Sequence, residues 1–102
     1  MNKPPFQKKL EALREEIDGI DAQLLKLLNR RIEIAREIGA LKKTHGEPVC
    51  DPHREQKILE CLERQNKETG GVLSTEDLRA IYQALLDASR GVQHQLINKR
   101  QP

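Results

Sequence analysis

The sequence predicts an all-α protein with three helices per chain and a very long first helix, assembled as a helical homodimer. Three observations carry this expectation. Apolar residues recur at helical spacing through nearly the whole chain and nowhere alternate as a half-buried strand would. Only two stretches carry turn chemistry, Thr44-His45-Gly46-Glu47-Pro48 and Thr69-Gly70-Gly71, and they cut the chain into three. The first segment repeats its pattern far beyond the usual helix length of about 11–12 residues. A chain of 102 residues suits a single domain, 1–102.

Helix 1 is expected over about 6–43. Alternating steps of three and four visit Leu10, Leu13, Ile17, Ile20, Leu24, Leu27, Arg31, Ile34, Ile38 and Leu41. All but Arg31 are aliphatic, a sustained heptad seam that Leu25, Leu28, Ile32 and Ala35 widen. Helix 2, about 52–68, opens with Asp51 as N-cap and Pro52 at the first helical position, where a missing N–H costs nothing. It turns Ile58, Leu59 and Leu62 inward. Helix 3, about 75–98, opens with Ser74-Thr75-Glu76-Asp77, a cap followed by acids that suit the helix dipole. Its inward stripe is Leu78, Ile81, Tyr82, Leu85, Leu86, Ala88, Val92 and Leu96. At ~1.5 Å per residue helix 1 is ~55 Å long, whereas helix 2 is ~25 Å and helix 3 ~35–40 Å. One copy of each leaves a long apolar strip in water, which monomers avoid. A dimer with helix 1 spanning both protomers removes the difficulty.

Composition narrows the function classes. Charged residues make up 33% of the chain and mean hydropathy is −0.73. No apolar run approaches the ~18 residues of a membrane span, and Met1-Asn2-Lys3-Pro4-Pro5 lacks a signal-peptide core, so the expected compartment is the cytoplasm. A net charge of +2 with only Phe6 and Tyr82 as aromatics argues against nucleic acid as a partner. Cys50 and Cys61 have no metal-ligand spacing, and His45, His53 and His94 are scattered, so no metal is expected.

The informative residues are polar ones set where the pattern calls for apolar ones. Arg31 occupies the helix 1 seam, where a charge is costly unless paired. Alone, it reads best as a buried ion pair that fixes register. Lys42 lies eleven residues on, three turns later, within ~20° of the same side and ~16 Å along the axis. A lone lysine there would merely suit the helix dipole. In helix 2, Asp51, Arg54 and Glu55 head the stripe that continues as Ile58 and Leu62; a solvated first turn is the bland alternative. In helix 3 the Tyr82-Leu86 line continues as Ser89 and Gln93, which by themselves suit a helix end emerging into water. Together these residues suit a small molecule with more than one carboxylate. They include no nucleophile–base pair and no glycine-rich phosphate loop, so any catalysis would be positional and electrostatic. Arg14, ~25 Å before Arg31 and turned by ~100°, cannot share that pocket along one straight helix, but it can enter a partner's pocket if the first helices run antiparallel.

From about Leu10 to Leu96 the chain resembles the all-helical class of chorismate mutase. The pieces are Leu13-Arg14 with Ile17-Asp18 and Asp21; Leu27-Leu28 leading to Arg31; Gly39-Ala40-Leu41-Lys42; Pro48-Val49-Cys50-Asp51-Pro52-His53-Arg54-Glu55; and Ser89 with Gln93. Each is weak alone, and their order and separations make the set specific. The resemblance implies the Claisen rearrangement of chorismate to prephenate, on the branch toward phenylalanine and tyrosine, with no cofactor. It also implies an intertwined dimer with two sites, each completed by one arginine of the other protomer.

By position, the resemblance makes Lys42 and Gln93 donors to the ether oxygen whose bond to the ring breaks. It makes Arg31, Arg54 and the partner's Arg14 the holders of the two carboxylates, without saying which takes which. Glu55, with the backbone near Asp51, would hold the ring hydroxyl, and Ser89 would assist at a carboxylate. Lys42, Gln93, Arg31 and Glu55 are thus the expected catalytic residues, and Arg14, Asp51, Arg54 and Ser89 the expected substrate-binding ones. Gly39 costs ~1 kcal/mol relative to Ala in a helix interior, and the family tolerates a glycine there. Two departures mark this chain: Cys50, where relatives often carry a larger or basic residue, and Arg90-Gly91, which interrupts helix 3 between Ser89 and Gln93. The rival readings are an isochorismate-pyruvate lyase on the same fold, which Asp51 with Glu55 fits less well, and a non-catalytic helical dimerisation or effector-sensing module.

Overall fold

The computed structural model describes residues 4–98. They form α1 (Pro5–His45), α2 (Pro52–Glu68) and α3 (Thr75–Asn98), with no strand among the described residues. The expected helix limits are met within two residues; residues 1–3 and 99–102 of the expected domain lie outside the described ones. No described helix is long and apolar enough to cross a membrane.

Local chemistry explains where each helix stops. α1 ends on Gly46 in the left-handed region, φ 67°, where a side chain would be strained. The turn directs the Glu47 N–H to the Lys42 carbonyl at 2.8 Å and the Gly46 N–H to the Lys43 carbonyl at 3.4 Å. α2 ends in the same way on Gly70, with the Gly71 N–H on the Asn66 carbonyl at 2.8 Å. At the other ends, Asp51 Oδ1 accepts from the Arg54 N–H and Ser74 Oγ from the Asp77 N–H, both at 3.0 Å. α3 continues through Gly91 without a break, so Arg90-Gly91 does not interrupt it. A Cβ added at Gly91 would meet nothing within 4 Å, so this glycine answers to no packing demand.

Two compact units divide the chain at Arg31 and Ile32. The first contains the N-terminal stretch of α1, and its seam is open: Leu13, Ile17, Ile20, Leu24 and Leu27 are 48–67% exposed. The second contains the remainder of α1 with α2 and α3, around a small core of Ala35, Val49, Leu59, Leu78 and Leu86. There α1 buries Ala35 and Gly39 and half-buries Lys42, a line at i, i+4 and i+7. The bulkier seam line, Ile34, Ile38 and Leu41, stays exposed. Ile81 and Ala88 were expected to face inward on α3 and are exposed. The covered arc centres on Leu78, Leu86, Ser89 and Gln93, and at 100° per residue Ile81 and Ala88 fall at its edge.

Candidate functional site

Three contacts within the second unit involve the expected residues Lys42, Gln93 and Glu55. The first ties α1 to the loop after it: Lys42 Nζ donates to the Val49 carbonyl at 2.9 Å. Since the Lys42 carbonyl already accepts from Glu47, this residue is held by its backbone and by its side chain. An ammonium has three donors, so two N–H bonds remain for a ligand.

The second contact joins α1 to α3. An added Cβ at Gly39 would stand 2.9 Å from Gln93 Cγ and 3.1 Å from Gln93 Cα. The helices therefore meet where α1 has no side chain, which accounts for a glycine in mid-helix. Close by, Lys43 Nζ donates to the Leu96 carbonyl at 3.3 Å. Gln93 is only 7% exposed, and its Oε1 is buried with no hydrogen-bond partner among the described residues. An orphaned buried polar atom costs about 1–3 kcal/mol and signals a group held for another purpose. Gly39→Ala is expected to lower stability by about 1–3 kcal/mol despite its better helix propensity, because the new methyl meets the α3 backbone. Denaturant unfolding checks this, and a stabilised variant would show that the helices separate freely.

The third contact joins α2 to α3. Glu55, half-buried one turn into α2, pairs through Oε2 with Arg90 Nη1, while Arg90 Nη2 meets Asp87 Oδ1. The hydrogen bond it donates to Glu55 holds the Arg90 guanidinium above its already high ordinary range, against the opposing effect of desolvation. Arg90 therefore stays charged at every working pH. Ser89, 8% exposed, donates to the Leu85 carbonyl at 3.0 Å. With that proton engaged, the hydroxyl is not activated as a nucleophile.

Of the eight expected site residues, Lys42, Glu55, Ser89 and Gln93 are buried or half-buried on the three elements of this unit. Asp51 and Arg54 stand at the head of α2 with exposed side chains; Asp51 serves as cap to the Arg54 N–H. Arg14 and Arg31 belong to the first unit, Arg14 exposed and Arg31 half-buried. The residue that sequence reasoning did not assign to the site is Arg90, which it read only as a helix interruption. The sequence marked only its i, i+3 neighbour Asp87 as a partner, and Glu55 lies 35 residues away. The three helices of this unit carry an ammonium, an amide, a hydroxyl and an ion-paired carboxylate that are buried or half-buried. Such a set can bind and orient a polar anion and stabilise developing negative charge, and it holds no general base next to a nucleophile.

Residues 13–94 match the family described as chorismate mutase type II. A bifunctional chorismate mutase/prephenate dehydratase of Aquifex aeolicus is 44% identical over 78% of this chain, which spans only 22% of that protein. A chorismate mutase of Methanocaldococcus jannaschii is 31% identical, covering 91% of this chain and 92% of its own length. Among solved structures, a conserved hypothetical protein from Pyrococcus furiosus superposes with a TM-score of 0.66 at 38% identity, covering 83% of this chain and 95% of its own.

Proposed function

Because this chain belongs to the type II chorismate mutase family, we propose that it converts chorismate to prephenate within a homodimer in the cytoplasm. The observation that supports this best is Gln93, an amide buried against Gly39 with an unpartnered oxygen, on the element that also carries Ser89. An amide presents a donor and an acceptor on one plane, and a half-turn of its last torsion exchanges them.

The reaction is unimolecular: the ether C–O bond of the enolpyruvyl arm breaks as a C–C bond forms, with no proton transferred and no covalent intermediate. The protein has two tasks. It holds the arm over the ring in a reactive geometry, and it stabilises charge growing on the ether oxygen. In this proposal Lys42 and Gln93 donate to that oxygen, and Glu55 accepts from the ring hydroxyl near Asp51. Arg31, Arg54 and an Arg14 from the partner hold the two carboxylates, with help from Ser89. The open seam of α1 supports the dimer, since a second copy of the same helix would cover it.

Incubation of the protein with chorismate, and in parallel with isochorismate, tests the reading. The expected outcome is loss of chorismate absorbance with prephenate as product. Pyruvate release from isochorismate instead would favour the lyase, and saturable binding without turnover would favour a sensor.

A further inference from the structure

Glu55 poses an electrostatic problem for the function proposed above. A half-buried carboxylate in a site for a dianion repels its ligand, and a flexible glutamate has several rotamers from which to miss a ring hydroxyl. The structure joins this acid to a cation from another helix. Arg90 stands one residue after Ser89 and three before Gln93, so at 100° per residue it flanks the face that those two share. From there its Nη1 reaches Glu55 Oε2 on α2, and its Nη2 meets Asp87 Oδ1 on its own helix.

We infer that Arg90 is a positioning residue for this site. Its guanidinium, gripped between Glu55 and Asp87, fixes the Glu55 carboxylate in one orientation and offsets its charge. A hydroxyl acceptor can then stand in a pocket that takes a dianion. The inference rests on the proposed mutase reading and deepens it. Among the described residues Arg90 engages only Oε2 of Glu55, which leaves Oε1 for the ring hydroxyl. The forked guanidinium suits the task, because one planar group meets both carboxylates at once. A lysine would keep the charge and lose the fork.

The test is a kinetic cycle on the full chain, begun by confirming that the wild type forms prephenate. Arg90→Met is expected to lower kcat/KM by about tenfold, chiefly through KM, because it strands a charged acceptor beside the substrate. In a Glu55→Gln background the same replacement is expected to cost no more than about twofold, since no charge remains to offset. Arg90→Lys should fall between wild type and Arg90→Met in KM, and it carries the test if the methionine variant fails to fold by circular dichroism. An equal loss in both backgrounds would mean that Arg90 acts only on structure and would overturn the inference, as would Arg90→Met within twofold of wild type. A wild-type chain that forms no prephenate would overturn the functional reading, and this inference with it.

Discussion

Lys42→Ala is expected to lower turnover of chorismate by about 100-fold or more, since one donor aimed at developing charge is worth ~3 kcal/mol in the transition state. The loss should appear in kcat as well as kcat/KM, because the charge on the ether oxygen grows only as the bond breaks. The ammonium is well placed for the role. It is half-buried, the Val49 carbonyl fixes it with one of its three donors, and the Glu47 N–H holds its backbone carbonyl. Little reorganisation is then needed when charge appears. Near-full activity in the variant would remove Lys42 from the mechanism. The same variant also tests the proposed sharing of sites. Mixed with Arg14→Ala chains, it should form heterodimers with one intact site, which combines Lys42 of one chain with Arg14 of the other. If Arg14 served its own chain's site, mixing would restore nothing.

Gln93→Glu is expected to make a pH-independent step strongly pH-dependent. The glutamate keeps the shape, so it fits the gap against Gly39 that the amide fills. As a carboxylate it would face the developing negative charge and stop the reaction; as a carboxylic acid it would donate as the amide does. Burial disfavours the charged form and raises its pKa above the usual ~4.3 for glutamate. The variant is therefore expected to be active below that raised value and to lose activity as pH climbs through it, by about 100-fold at pH 8. A profile of kcat/KM against pH reads this directly. A variant with the wild-type profile would show that residue 93 does not face the reacting oxygen.

The helices themselves were legible because helical periodicity and end chemistry are local. Asp51-Pro52, Ser74 and the two left-handed glycines mark ends in the sequence and mark them again in the structure. What local signals could not resolve was which face meets which. The bulky seam of α1 suggests the core-facing side, yet within the second unit the covered line is Ala35 and Gly39, both buried, with Lys42 half-buried. Small residues admit a close helix approach, and a pattern search that scores only apolar bulk passes over them. Ile81 and Ala88 show the converse, apolar residues at the margin of an arc that one chain does not cover. Lys42, Glu55, Ser89 and Gln93 were found as polar breaks in apolar stripes, and their assignment to one substrate came from resemblance. The Glu55–Arg90 pair spans 35 residues, so no local pattern announces it.

The open stretch of α1 before Ile32 has a consequence for how activity is lost. Its unit contains no other helix, and a lone helix of that length keeps only its own hydrogen bonds and neighbouring side-chain pairs to hold it. In the proposed dimer its order is lent by a second copy, so the folded fraction depends on total chain concentration through mass action. Separation of the pair would take away the partner's Arg14 and the support of the helix that bears it in one event. Dilution would not leave half-active monomers behind. Activity and helical order would fall together, with the midpoint set by the number of chains present.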